Sequence, residues 1–442
     1  MKNSKISAGL YKKNREKICS SAEKNSVIIV HSGYQYPRNA DQFYKYRPHS
    51  DFYYLTGIEQ EKSILVMCPG HPDEKYREIL YILRPDEKMQ IWEGYKLTRE
   101  EASGISGINE INEIKWGNEF ENDVDFLVKN KPPVYLNMPE KQNCEPVLSQ
   151  DFNYSKILFE KHPLLRSIRL STITTPNRLI KEYEELALIK KAVEVTGEAF
   201  KRVCRTTKPE MFEYEIEAEI NYVFSKNGCG HAYLPIVASG ANACVLHYIT
   251  NREKCKKGDL VLLDFGAEFE NYASDCSRTI PVSGKFTKRQ KDCYNAVLRV
   301  FRKTVPLFVP GNTINKINQQ VKQWLGEEMI GLGLFTSEDV KKQSSLAEAS
   351  EDNIPENPLV TKYFMHGVSH FMGLDVHDPG SKDEPLKKGM VVTCEPGLYI
   401  KEEGIGIRIE NNILVDEMPV DLMAGIPIGV EEVERMMGKS GD

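Results

Sequence analysis

At 442 residues, 40% hydrophobic and 28% charged, the chain is long enough for two folded domains with substantial cores. A formal net charge of −6 with scattered basic residues gives no footprint for nucleic acid, and no apolar run approaches the roughly 18 residues of a membrane-spanning helix. The ten cysteines form no CxxC and no paired spacing, which predicts reduced thiols in a cytoplasmic protein. Lys2, Ser4, Lys5 and Ser7 make a basic start with no apolar stretch behind it, so no secretory signal is predicted.

Residues 1–175 read as a mixed-sheet α/β domain, with strands expected at 26–30, 63–67 and 78–83, short apolar runs suited to a covered sheet. Between them residues 46–57 are aromatic and turn-rich, and His49 there is expected to be structural. Trp92, one of only three tryptophans, precedes a turn at Gly94 and is expected in the core or at a domain contact. Thr174-Thr175-Pro176-Asn177 carries turn chemistry, which sets the domain boundary at 175/176 and gives the second domain residues 176–442.

That second domain opens with helical periodicity. Leu186, Ile189, Val193, Thr196 and Phe200 predict an amphipathic helix from Glu182 towards Cys204, and another is expected over 214–224. A Gly-rich stretch containing Tyr233 then leads to His247-Tyr248. Residues 261–275 follow, an apolar run ending in Asp264, a Gly- and Asn-containing segment, and Asp275. With a turn centred between Phe269 and Glu270, the two aspartates face each other across an antiparallel hairpin. Like charges at the roughly 5 Å of opposed Cβ atoms repel, so something positive is expected between them. Helices are predicted over 288–305 and 314–332, and the polar residues 336–358 read as a surface excursion.

The hairpin geometry then appears again. Val391 to Glu395 and Ile405 to Glu410 flank a turn centred between Glu402 and Glu403, which places Glu395 opposite Glu410. Two hairpins with facing acids suggest a duplicated architecture. Between them lies His366-Gly367-Val368-Ser369-His370, followed by His377. The two histidines four apart would share a face if helical, but Gly367 and β-branched Val368 favour an irregular or strand segment. On that alternative His370 ligates while His366 and His377 point into the cleft.

One acid pair on a hairpin is usually a solvated face. Two such pairs with imidazoles between them make a hard, oxygen-rich site suited to one or two first-row divalent ions. Arg408 shares a strand face with Glu410 and either offsets negative charge around the metals or forms a buried structural ion pair. Cys276 and Cys394 adjoin proposed ligands and are expected to be small buried residues.

His247-Tyr248, Asp264 with Asp275, Phe364-Met365-His366-Gly367-Val368-Ser369-His370, Gly373-Leu374-Asp375-Val376-His377-Asp378, Glu395-Pro396-Gly397-Leu398-Tyr399 and Gly406-Ile407-Arg408-Ile409-Glu410 together resemble the pita-bread metallopeptidases. Within that fold the chain is most similar to the aminopeptidase P family. Ser50-Asp51-Phe52-Tyr53-Tyr54-Leu55-Thr56-Gly57 also resembles the family's accessory domain, so the resemblance covers nearly the whole chain.

The resemblance implies an α/β (α+β) architecture, a mixed-sheet accessory domain before a pita-bread catalytic domain. It implies a dinuclear site, usually Mn²⁺, with Co²⁺, Zn²⁺ or Fe²⁺ as substitutes. Asp264 would hold one ion, His370 and Glu395 the other, and Asp275 and Glu410 both. A bridging hydroxide would attack the carbonyl before a penultimate proline. Glu395 would also relay protons, and His247, His366 and His377 would contact substrate and stabilise the tetrahedral intermediate. Tyr233 and Arg408 match positions beside the ligands or along the cleft. Trp92 would reach a neighbouring subunit's site in a homodimer or homotetramer. The chain departs from relatives in a shorter loop at 378–386 and in Ala232-Tyr233-Leu234-Pro235, both flanking the expected cleft.

Prolidase is the nearest rival. It would need a positive group for the free carboxylate of an Xaa-Pro dipeptide, and no residue is identified for that role. A methionine aminopeptidase is disfavoured by the large N-terminal domain, and creatinase or a non-catalytic pita-bread binding module by the retention of all five ligands.

Overall fold

The expected strands at 26–30, 63–67 and 78–83 form as Val27–His31, Ile64–Met67 and Glu78–Leu83. The structure, a computed structural model, describes residues 6–84, 87–114, 119–138, 149–348 and 358–438, and its chain divides into two compact units, Met1–Arg178 and Leu179–Asp442.

In the first unit those strands lie inside a six-stranded sheet ordered Glu110–Ile114, Glu78–Leu83, Ile64–Met67, Val27–His31, Pro133–Leu136, Arg166–Arg169. The three central strands pair antiparallel and the outer pairings are parallel, so the sheet is mixed. Val27, Ile29, Val66, Ile79 and Leu136 pack with Phe120, Val124 and Leu158 from the covering helices. Ile28, Val30, Leu65 and Leu80, which point to the other face, are buried as well, and burial on both faces explains why the strands read as near-continuous apolar runs. His49 is structural as expected, accepting from the Asp51 N–H at the start of the helix Ser50–Thr56.

Two expectations in this unit are corrected. Trp92 is not a core residue. It sits on the short helix Glu87–Glu93 and is 88% exposed. The residues 174–177 are not a turn but belong to the helix Ser171–Leu179, with Pro176 inside it. The helix tolerates the proline because its last turn is held otherwise: Asn177 Nδ2 donates within the helix to the Ile173 carbonyl, and the buried Arg178 pairs with buried Asp51 at 2.9 Å.

The second unit contains two helix-pair-then-hairpin halves. Tyr183–Thr206 and Glu213–Lys226 precede the first acidic hairpin; Lys288–Thr304 and Ile314–Gly331 precede the second. The four helices lie where periodicity placed them. Glu185 caps the first by accepting from the Glu182 N–H at 2.8 Å. Of the expected excursion, Ser337–Glu348 is a helix, begun by Thr336 and Asp339 bonding each other's backbone N–H groups, and 349–357 lie outside the described residues.

The hairpins differ in how well their register was foreseen. The second keeps one register through two ladders: Val391 to Cys394 against Leu414 to Asn411, then Gly397 to Ile400 against Arg408 to Ile405. Glu395 and Glu410 fall opposite each other in the gap between them, as expected. The first is shifted. Asp264 lies opposite Ser277, not Asp275, because the turn is the pair Glu270-Asn271, both at positive φ. A two-residue loop of this kind needs left-handed backbone at both central positions, which Asn accepts more readily than Phe269. Since Asp275 and Ser277 are two apart, the shift preserves the face, and both aspartates still point the same way. Gly266 then falls opposite Asp275, where a Cβ would lie 1.8 Å from the Ser274 carbonyl oxygen.

Candidate metal centre and active site

The two hairpins and the segment 366–377 surround a cavity of about 560 Å³. Asp264, Asp275, Glu395, Glu410, His366, His370, His377, His247, Tyr233 and Arg408 all line it. Ten of the eleven residues singled out in the sequence therefore converge on one cleft. Trp92 belongs to the other unit.

The backbone fixes the donors individually. The irregular segment carrying His370 runs beside the strand Val391–Cys394, with Thr393 N donating to the His370 carbonyl at 2.9 Å and Glu395 N to the Val368 carbonyl at 2.9 Å. Glu410 N donates to the Ser277 carbonyl at 3.1 Å, tying the second hairpin to the first. Asn412 clamps Asp275 from both sides: its Oδ1 accepts from Asp275 N, and its Nδ2 donates to the Asp275 carbonyl. Asp275, His370 and Glu410 consequently offer donor atoms within 4.8 Å of one another.

His370 Nδ1 donates to the Phe371 carbonyl at 3.0 Å, which leaves Nε2 aimed at Asp275 (3.3 Å) and Glu395 (3.6 Å). This is the arrangement that frees one ring nitrogen for a metal. Burial alone would push this imidazole down, but the Asp275 hydrogen bond and the Glu395 charge outweigh it and hold it up at about 9.

The acids carry more negative charge than the cleft's own groups offset. Burial, reinforced by the neighbouring carboxylates, pushes Glu395 up to about 7 and Glu410 and Asp264 above the usual carboxylate range. Tyr233 makes the same point geometrically. Its oxygen is 2.6 Å from Asp264 Oδ1 and also within hydrogen-bond reach of Asp275 Oδ1, yet a phenol has one proton to donate. Packed carboxylates with one free imidazole nitrogen are a donor set that fits hard divalent cations and is costly without them.

Arg408 forms a buried ion pair and holds two further partners. Its Nη2 is 2.6 Å from Asp264 Oδ2, Nη1 donates to Tyr399 Oη at 2.8 Å and Nε to Ser277 Oγ at 2.7 Å. Ser277 Oγ in turn donates to Glu410 Oε2 at 2.8 Å, so one guanidinium orients an acid on each hairpin. Tyr399 Oη donates to His366 Nε2 at 2.7 Å, while His366 Nδ1 donates to the Gly367 carbonyl at 2.8 Å. Burial, with the Arg408 charge nearby, pushes His366 down to about 3, and it stands neutral. His377 stacks edgewise on His370 at 4.3 Å between ring centroids, and His247 lies on an exposed turn at the cavity wall.

The sequence reading gave no role to Ser277, Thr393, Tyr399 or Asn412. Strand parity carried a signal for two of them: Ser277 is two residues from Asp275, and Thr393, whose hydroxyl bonds Glu395 at 3.2 Å, is two from Glu395.

A duplicated helix-and-hairpin domain converging on carboxylates and imidazoles defines a pita-bread metallopeptidase. The family model described as metallopeptidase family M24 matches residues 187–417, and that of the aminopeptidase P N-terminal domain matches 11–135. The Xaa-Pro aminopeptidase of Haemophilus influenzae is 33% identical over 97% of this chain and 96% of its own length. Among solved structures, Escherichia coli aminopeptidase P with the inhibitor Pro-Leu superposes with a TM-score of 0.84 at 30% identity, covering 99% of both chains. The zinc-substituted Escherichia coli enzyme in complex with product gives the same TM-score and identity over 99% of this chain and 100% of its own. The chain belongs to the aminopeptidase P family of M24 metallopeptidases, enzymes that require a divalent metal.

Proposed function

We propose that this chain is an Xaa-Pro aminopeptidase, hydrolysing the bond between an N-terminal residue and a penultimate proline. The observation that carries the reading is the convergence of Asp264, Asp275, His370, Glu395 and Glu410 on one cleft, in a chain similar over nearly its full length to enzymes of that name. Residues 176–442 carry the chemistry and 1–175 an accessory domain.

Asp264, Asp275, His370, Glu395 and Glu410 would together hold the divalent ions. Mn²⁺ is the metal proposed, since five O and N donors with no thiolate suit it. When bound, such ions polarise a carbonyl and make water a nucleophile near neutral pH. The chain's own groups do the rest. Glu395, held near neutrality by its surroundings, takes and returns protons. His366, kept neutral by burial, His377, whose imidazole desolvation and the neighbouring His370 push down, and His247 on the cavity wall bind the peptide and donate to its carbonyl oxygen as charge develops. Both ring nitrogens of His366 have partners, so reaching substrate requires it to exchange the Gly367 carbonyl or Tyr399. Arg408 and Tyr233 hold the acids in place. Among the described residues no helix is long and apolar enough to cross a membrane, and a cytoplasmic homodimer or homotetramer, with exposed Trp92 reaching a neighbour's cleft, completes the proposal.

The test is a comparison of Mn²⁺-loaded protein on a dipeptide Xaa-Pro, a tripeptide Xaa-Pro-Xaa and Met-Ala-Xaa. Fast tripeptide cleavage with a weak dipeptide rate is expected. Cleavage of the dipeptide alone would make the protein a prolidase. Asp264→Asn and Glu410→Gln should lose metal and activity together, while His366→Ala keeps metal and turns over about 100-fold more slowly. Unchanged activity in all three would overturn the site.

A further inference from the structure

The cleft holds one cation that the chemistry above leaves unused. Lys382 lines the cavity together with His366, His377 and Arg408. Arg408 is buried and committed to Asp264, Tyr399 and Ser277. Lys382 is exposed, and no ion pair or side-chain hydrogen bond to its ammonium is found among the described residues. Its position is nonetheless specific: Nζ lies 3.3 Å from where a Cβ on Gly367, the residue after His366, would be. Its charge bears on both His366 and His377, the imidazoles assigned to the peptide.

The backbone beneath the side chain is anchored. Asn315, at the start of the helix Ile314–Gly331, donates its N–H to the Lys382 carbonyl at 3.1 Å, and its Nδ2 donates to Asp383 Oδ1. Asp383 N in turn donates to Ser381 Oγ at 3.3 Å. The loop holding the lysine is thus fixed on the domain, while four flexible methylenes let the ammonium follow a ligand. Gly367 completes the geometry. A Cβ there would lie 3.3 Å from the ammonium, tighter than ordinary contact, so glycine lets the lysine lie close to this backbone.

We infer that Lys382 receives the free C-terminal carboxylate of short peptide substrates and makes the enzyme prefer them over longer or C-blocked ones. The inference rests on the Xaa-Pro aminopeptidase reading, because it takes the acid-lined floor as the place of the scissile bond. A peptide entering a floor of four carboxylates meets repulsion at its own carboxylate unless a cation covers that end. Lys382 is the uncommitted cation on the wall. An ammonium serves here as a point charge and not as a planar fork, so it accommodates carboxylates at slightly different depths and does not demand one peptide length.

The test compares Xaa-Pro-Xaa tripeptides with a free carboxylate against the same peptides C-amidated, using full-length Mn²⁺-loaded protein. The wild type should favour the acid about tenfold in kcat/KM, with the difference in KM, and the preference should shrink as salt is raised. In Lys382→Met the acid-to-amide ratio should fall to near one, and Lys382→Arg should restore most of it. Equal use of acid and amide by the wild type would overturn the inference while leaving the aminopeptidase reading intact. A preference surviving in Lys382→Met would do the same. Failure of the metal-loaded wild type to cleave either peptide would overturn the aminopeptidase reading and the inference with it.

Discussion

Lys181 Nζ lies 2.8 Å from Asp378 Oδ2, and both side chains are 1% exposed. Asp378 directly follows His377, and its Oδ1 also accepts from the Asp375 N–H at 3.2 Å. Gly373 is packed so tightly against the pair that a Cβ would come within 2.6 Å of both. The ion pair therefore locks the loop that presents His377 against the residues just ahead of the helix Tyr183–Thr206.

Removing one member of such a pair leaves the other charged and buried. Lys181→Met should cost about 3–5 kcal/mol of stability, read from denaturant unfolding of the metal-loaded protein. A cost below 1 kcal/mol would mean that water already reaches Asp378.

Arg408→Lys is expected to lower kcat/KM about 10- to 100-fold even though the charge is kept. One ammonium cannot serve Asp264, Tyr399 and Ser277 at once in the way three guanidinium nitrogens do. Kinetics with metal content measured in parallel check this. Wild-type rates in the lysine variant would show that charge alone matters at this position.

Metal-free protein should weaken as the pH rises. In the folded state Glu395 is pushed up to about 7 and His370 up to about 9. A group whose folded value is raised stabilises the fold while protonated and loses that contribution as pH passes through the folded value. Glu395 loses its contribution from about 4.5 up to about 7 and His370 from about 6.5 up to about 9, so the loss from pH 7 to 9 is that of His370, and bound metal replaces those protons with its own charge. His366, pushed down to about 3, works below this window, where neutral imidazole is disfavoured by acid. The gap in Tm between metal-loaded and metal-free protein should therefore widen from pH 7 to 9, with protons released on loading. A gap independent of pH would contradict the electrostatics described for the cleft.

Gly266→Ala should be among the most damaging small substitutions in the domain, costing about 3 kcal/mol or more. Its Cβ would fall 1.8 Å from the Ser274 carbonyl oxygen, and Tyr233 lies 3.2 Å away on the other side. Because Ser274 precedes Asp275, the displacement reaches the metal site, and metal content should fall along with Tm. A variant with full metal occupancy and unchanged Tm would refute the close approach.

Much of this was legible before any coordinates. Apolar runs placed the strands, because a sheet covered on both faces imposes them, and 3.6-residue periodicity placed the principal helices of the second unit, because burial on one face imposes it. Strand parity brought Asp264 and Asp275 to one face even though the turn was placed one step early at Phe269-Glu270. The turn was misplaced because a Glu-Asn pair at positive φ carries only a weak local signal, with no Gly. Trp92 and the helix over Pro176 were misread for a related reason, since local composition does not record what lies across space. The partners Tyr399, Asn412 and Lys181 were invisible as well. Each is defined by a contact more than thirty residues away from or outside its own motif, and only the folded chain supplies that.

The gap between the two ladders of the second hairpin has a consequence for how the protein matures. Glu395 and Glu410 sit where the hairpin's own hydrogen bonding lapses, and their N–H groups are taken up by Val368 and Ser277 instead. Neither acid is therefore set by local turn formation. Each waits for a distant segment, in one case more than a hundred residues earlier. Pairings of such sequence separation are slow to close and come late. A nascent or half-folded chain with only its first hairpin offers two aspartates and nothing to complete them. On the proposed assignment of the ligands, the cleft is complete only when both halves of the catalytic domain have joined.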